Sequence, residues 1–72
     1  MQTSEVAHLR QQITLECEAL NRALYGPAIT ASHAVITQRY KRIDGYYDRL
    51  VALLGEQGAT DLTVGIYEAI VQ

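Results

Sequence analysis

The fold of this chain is decided by residues 29–54, ITASHAVITQRYKRIDGYYDRLVALL. Through this stretch, apolar or amphipathic side chains recur at alternating steps of four and three residues: Ile29, His33, Ile36, Tyr40, Ile43, Tyr47, Leu50 and Leu54. Such a heptad repeat is typical of a helix that packs lengthwise on another helix in a left-handed supercoil. We therefore predict one helix over about residues 28–54.

This heptad seam separates into two sets of side chains with different chemistry. The first set is wholly aliphatic and is expected in the deep core: Ile29, Ile36, Ile43 and Leu50. The second set is expected at the edge of the core, where hydroxyl and imidazole groups reach water or a partner: His33, Tyr40, Tyr47 and Leu54. Asp44-Gly45 could form a turn that splits the helix, but the unbroken spacing across it favours continuity.

The residues before the seam predict a first helix over about 4–24. Its apolar stripe follows similar steps of three and four residues: Val6, Leu9, Ile13, Cys17, Leu20 and Leu24. Tyr25-Gly26-Pro27 should end this helix, because glycine suits the left-handed position after a helix and proline cannot continue the backbone hydrogen bonds. After so short a connection the next helix returns antiparallel, which makes an all-α helical hairpin.

Gly55 and Gly58 mark a linker, after which we predict a short C-terminal helix over about 58–71. The alternation of Leu62, Val64 and Ile66 could also indicate a strand, but a lone strand would have no pairing partner in this chain. As a helix, the segment is apolar on two sides, one with Ala59, Leu62, Ile66 and Ile70 and the other with Val64, Tyr67 and Val71. The hairpin can cover one side and a second subunit the other, so we expect a homodimer whose helices form a bundle.

The composition limits the chain to one small domain spanning residues 1–72. A core of this size rarely contributes more than about 3–5 kcal/mol, so very good helix packing or oligomerisation is expected to supply the rest. Cys17 is the only cysteine, which excludes an intrachain disulfide and indicates a reducing, cytoplasmic compartment. A formal charge of −2 and the lack of a run of about 18 apolar residues point away from general nucleic-acid binding and from a membrane span.

Tyrosine is the most informative residue type for function, because it combines apolar area with a polar tip and is enriched at protein interfaces. The chain has five tyrosines. We expect a partner interface at Tyr40, Tyr46, Tyr47, Val64, Tyr67 and Val71. The leading hypothesis is a non-enzymatic protein-interaction module that binds itself or another protein, as a homo-oligomer or as a small adaptor subunit of a larger assembly.

A basic stripe provides the alternative. Arg39, Arg42, Tyr46 and Arg49 follow one another at three, four and three residues and share one helical face. Arginines interleaved with an aromatic ring can bind phosphates and stack on a base, which would make the chain a small nucleic-acid-binding regulator. The plainer interpretation is a solvated face that keeps an acidic protein dispersed.

The remaining candidates favour structural roles. Asp44 and Asp48 stand four residues apart, but Lys41 precedes them by one turn, and no metal site is expected. His33 fits a partly buried histidine near a helix start, and Cys17 fits a small core residue better than a reactive thiol. A ligand site between the helices using His33, Tyr40 and Tyr47 is a third hypothesis; otherwise no cofactor and no catalytic residue is expected.

Overall fold

The computed structural model of the protein describes residues 2–25 and 33–71, and these form two helices. Helix α1 runs over Gln2–Tyr25 and helix α2 over His33–Ile70. Ion pairs join Glu16 to Arg39 and Glu5 to Arg49. The residue later in α1 contacts the residue earlier in α2, so the two helices are antiparallel. The all-α class and the helical hairpin are confirmed. The predicted Gly26-Pro27 turn, Ile29 and the expected start of the second helix at residue 28 lie outside the described residues.

The core of the hairpin follows the apolar stripe of α1. Leu9, Ile13, Cys17 and Leu20 are buried. Leu24 was expected in the same stripe but is exposed, because it lies in the last turn of α1, where the stripe reaches the end of the bundle. The prediction for Leu24 is therefore wrong.

The two sets of the heptad seam are separated by burial as expected. On the aliphatic side, Ile43 and Leu50 are buried and Ile36 is half-buried. The amphipathic side lies at the edge: His33, Tyr40 and Leu54 are exposed and Tyr47 is half-buried. The helix continues through Asp44-Gly45 without a break. The predicted continuity is therefore confirmed, and the side chains of the seam stay on one side of α2.

Helix α2 leaves helical geometry at Gly55, where φ is 83° and ψ is 167°. Beyond this residue the chain reverses, since the hydroxyls of Tyr40 and Tyr67 meet at 2.9 Å although 27 residues separate them. In a straight helix that separation would span about 40 Å and about seven and a half turns, which would place the two tyrosines on opposite sides. Gly55 therefore divides α2 into an N-terminal arm, residues 33–54, and a C-terminal arm, residues 56–70, that lies back along it.

The C-terminal arm closes the core. Ala59 and Val71 are buried, and the hydroxyls of Tyr47 and Thr60 meet at 2.9 Å near the turn. A Cβ atom added at Gly58 would lie 3.1 Å from the Cβ of Leu54, so this glycine allows the two arms to approach closely. The segment expected as a separate helix over 58–71 is helical to Ile70 and belongs to α2, and the strand alternative is wrong. In the helix, Leu62 and Ile66 are half-buried and Val64 is exposed, so their alternation in the sequence does not indicate a strand.

Replacing Gly55 with alanine should lower the free energy of unfolding by about 1–3 kcal/mol, because a φ of 83° with a ψ of 167° lies in a backbone region that essentially only glycine adopts. Open space surrounds the position, so the loss would report the backbone conformation alone. Urea unfolding followed by circular dichroism measures it. Gly45→Ala is the matched control, since Gly45 is helical and equally open, and it should gain up to about 1 kcal/mol. A Gly55→Ala variant as stable as the Gly45→Ala variant would contradict the assigned turn.

Candidate functional site

The arginine face predicted to bind anions is turned toward α1. Arg39 donates to Oε1 of Glu16 at 3.0 Å, and Arg42 approaches Oε2 of the same carboxylate at 3.7 Å. Glu16 is only 8% exposed. Because a carboxylate removed from water requires compensating charge and hydrogen bonds, the two guanidinium groups stabilise Glu16 at the helix interface.

The third arginine of this face is also paired. Arg49 donates to the carboxylate of Glu5 near the opposite end of the hairpin. Tyr46, which was expected to offer a stacking surface, is half-buried and packs against the core. The structure therefore brings Arg39, Arg42 and Arg49 together as a row of interhelical contacts, and each has an intramolecular carboxylate partner.

Sequence reasoning missed Glu16, although a signal was present. Glu16 lies three residues after Ile13 and four before Leu20, which places a carboxylate within the apolar stripe of α1. A charged residue at such a position needs a partner, and the arginine face of the antiparallel helix is the available source.

Tyrosines connect the two arms of α2 in what we call the tyrosine junction: Tyr40, Tyr47, Thr60 and Tyr67. The rings of Tyr40 and Tyr67 lie 6.4 Å apart between centroids with an interplanar angle of 37°. Their hydroxyls form one hydrogen bond, and those of Tyr47 and Thr60 form a second. These contacts hold the side chains in fixed orientations at the surface between the arms.

The proton of Tyr67 is held more tightly than that of an ordinary tyrosine. Its hydrogen bond with Tyr40 is the largest cause of the raised pKa, followed by burial and by the negative charges that Tyr40 and Cys17 acquire on ionisation. Burial, and secondarily the charge of Glu16, also raises the pKa of the Cys17 thiol. Cys17 is buried and therefore mostly a neutral thiol near neutral pH, which agrees with a core role rather than a nucleophilic one.

The six residues expected at a partner interface lie in different environments. Tyr40, Tyr47 and Tyr67 belong to the tyrosine junction, and Val64, one turn before Tyr67 on the same arm, is 45% exposed. Tyr46 packs against the core, and Val71 is 6% exposed within the core of the single chain. Of the six residues, only Tyr40 and Val64 are exposed, and they leave apolar area on the outer side of the junction.

The other sequence candidates are not assembled into a site. His33 is exposed at the start of α2, whereas Tyr40 and Tyr47 contact the C-terminal arm, so the three side chains do not enclose a common ligand cavity. Asp44 and Asp48 are exposed, and within residues 2–25 and 33–71 no three His, Cys, Asp or Glu side chains are grouped so that they could hold a metal ion.

Two further findings concern the chain as a whole. Neither of the described helices has a stretch long and apolar enough to cross a membrane. Comparison with protein-family models, with curated proteins and with solved structures finds no match for this chain.

Replacing Glu16 with glutamine should lower the free energy of unfolding by about 1–2 kcal/mol, because the amide cannot compensate two guanidinium charges. Removing one partner of a fully buried ion pair costs about 3–5 kcal/mol. The loss expected here is smaller, because water still reaches the Arg39 and Arg42 side chains, which are 34% and 48% exposed. Thermal and urea unfolding measure the change. Glu18→Gln on the exposed side of α1 is the control and should have almost no effect; equal losses would argue against the Glu16 contacts.

Stability should also decrease at alkaline pH in a way that depends on Tyr67. Since its pKa is raised in the folded protein, the stabilisation is complete below the ordinary value of 10.0 and is lost as the pH rises through the higher folded value. Tyr67→Phe should make urea-unfolding stability less dependent on pH in this range. Tyr25→Phe, which alters an exposed tyrosine, is the control and should retain the wild-type dependence. Identical pH profiles for both variants would contradict the assigned hydrogen bond.

Proposed function

We propose that this chain is a non-enzymatic protein-interaction module that acts as a homo-oligomer or as a small adaptor subunit of a larger assembly. The observation that carries the proposal is the outer side of the tyrosine junction, where Tyr40 and Val64 leave apolar area in water. The Tyr40 side chain is 38% exposed although its hydroxyl is bonded to Tyr67. An aromatic side chain that is exposed and already oriented is a suitable anchor for a protein contact.

The side chains of the tyrosine junction are preorganised for binding. Ordering a side chain on binding costs about 0.5–1.5 kcal/mol when it has many rotamers. The hydrogen bonds within the tyrosine junction restrict Tyr40 and Tyr47 before any partner arrives. Binding at this surface therefore requires less loss of side-chain entropy than binding at a surface of free side chains.

The proposed assembly follows from the small size of the domain. Two hairpins associate into a bundle of long helices, and the C-terminal arms act as short bracing helices. Association adds buried apolar area to a core that contains few fully buried side chains, such as Ile13, Leu20 and Leu50. A buried free cysteine is compatible with the reducing cytoplasm, which we propose as the compartment.

The nucleic-acid alternative has less support. Each arginine of the predicted face has a carboxylate partner on α1, and phosphate binding would compete with these contacts. Tyr46 is partly covered, which reduces its value for stacking on a base. We therefore retain the interaction module as the proposed function.

Sedimentation velocity from micromolar to millimolar concentration tests the homo-oligomeric form. The wild-type chain should exceed its single-chain mass of 8.0 kDa, and Val64→Ser or Tyr40→Ser should shift the distribution toward it. Leu15→Ser is the matched control, because Leu15 is an exposed leucine on the outer side of α1, away from the junction. It should leave the distribution unchanged.

A single-chain mass at every concentration would overturn the homo-oligomeric form. The adaptor form predicts instead that affinity capture with the wild-type chain retains a defined protein that Tyr40→Ser and Val64→Ser lose and Leu15→Ser keeps. If capture also shows no difference among the variants, the proposed function is wrong.

A further inference from the structure

An open groove runs between α1 and the C-terminal arm of α2, on a different side from the tyrosine junction. It has a volume of about 350 Å³ and is lined by Arg10, Leu62, Gly65, Ile66 and Ala69. Leu62 and Ile66 are half-buried and pack against the core. The groove therefore has an apolar floor that the single chain covers only in part.

One edge of this groove has no side chain, because Gly65 occupies it. A Cβ atom built there meets no atom within 4 Å, so the fold of the single chain does not require glycine at this position. Gly58 differs, because the Cβ of Leu54 crowds it. The edge at Gly65 lets the backbone of another helix approach the apolar floor.

Charges of both signs flank the groove. Arg10 lies on the α1 side and makes no ion pair with any residue that the structure describes. On the C-terminal arm, Asp61 lies one turn before Gly65 and Glu68 three residues after it, and both are exposed; Asp61 accepts a hydrogen bond from Gln57 at 2.8 Å. A surface that carries a cation and an anion on opposite rims is complementary to itself after a two-fold rotation.

We propose that this groove is a contact site for a second copy of the chain. The C-terminal arms of the two copies cross at Gly65 and cover Leu62 and Ile66 of each. Arg10 of each copy meets the carboxylate of Asp61 in the other. The inference rests on the homo-oligomeric form of the proposed function and adds the groove as a second contact between copies, besides the outer side of the tyrosine junction.

A second copy fits the groove better than other occupants do. A basic segment would meet Arg10, and an acidic segment would meet Asp61, whereas the same surface rotated by a two-fold axis pairs both charges. A helix also matches the shape, because side-chain ridges of one helix pack into the grooves of another. A small ligand would leave most of an open trough in water.

The decisive experiment compares leucine at two open helical glycines. Gly65→Leu should fold as well as the wild type, because its Cβ atom has free space, but it should weaken self-association in sedimentation velocity by about ten-fold or more in Kd. Gly45→Leu is the matched control: Gly45 is helical and equally open, but it lies among charged residues of the N-terminal arm. It should leave the Kd within about two-fold. Circular dichroism verifies that both variants are folded.

Charge reversal provides an independent measurement. Arg10→Asp and Asp61→Arg should each weaken self-association, because each places like charges together across the two-fold axis. The double variant should restore it. Single variants without effect, or a double variant that is no better than either single one, would overturn the proposed pairing.

The outcomes separate this inference from the proposed function. If Tyr40→Ser and Val64→Ser dissociate the oligomer while Gly65→Leu does not, the groove assignment is wrong and the interaction module stands. If Gly65→Leu and the charge reversals act as expected, the groove is a second contact between copies, in addition to the outer side of the tyrosine junction. A wild-type chain that stays single at every concentration overturns the groove assignment, and the capture experiment then decides the proposed function.

Discussion

The left-handed backbone of Gly55 is the constraint on which the rest of the structure depends. Without a reversal at this residue, the apolar sides of the two arms of α2 would face in opposite directions about half a turn apart. With it, Tyr67 returns to Tyr40, Thr60 returns to Tyr47, and Ala59 and Val71 enter the core. Both the tyrosine junction and the open groove exist because one glycine adopts a φ of 83°.

The interfaces among α1 and the two arms of α2 are held by different chemistry. Charged contacts from Glu16 and Glu5 fasten α1 to the N-terminal arm, whereas neutral hydroxyl pairs fasten the two arms of α2. The described polar contacts between helices lie along these two interfaces. The third interface, between α1 and the C-terminal arm, is dominated by apolar packing beside Leu62 and Ile66.

Much of this architecture could be predicted from periodicity, and the remainder required knowledge of long-range contacts. The spacing of Ile36, Ile43 and Leu50 identifies a buried helix side, because a helix places such residues on one face whatever it packs against. Periodicity does not say which charged side chains meet, so Arg39 was expected on a solvated face or, alternatively, on an anion-binding one, although Glu16 neutralises it. Val71 likewise was assigned to an outer side, because the direction in which the C-terminal arm returns depends on the dihedral angles of a single glycine.

Glycine in a helix interior lowers stability by about 1 kcal/mol relative to alanine, which is a large fraction of what so small a core contributes. Gly55 and Gly58 have structural reasons, a left-handed φ and the nearby Cβ of Leu54. Gly45 and Gly65 have none within the single chain, because open space surrounds both. Of these two glycines, only Gly65 adjoins an apolar floor, which Leu62 and Ile66 form. Burial of these two side chains by another surface would offset the stability lost by having glycine at position 65. The association proposed above would complete the packing that a single chain leaves unfinished, and it would give the small core and the open glycine at position 65 one common explanation.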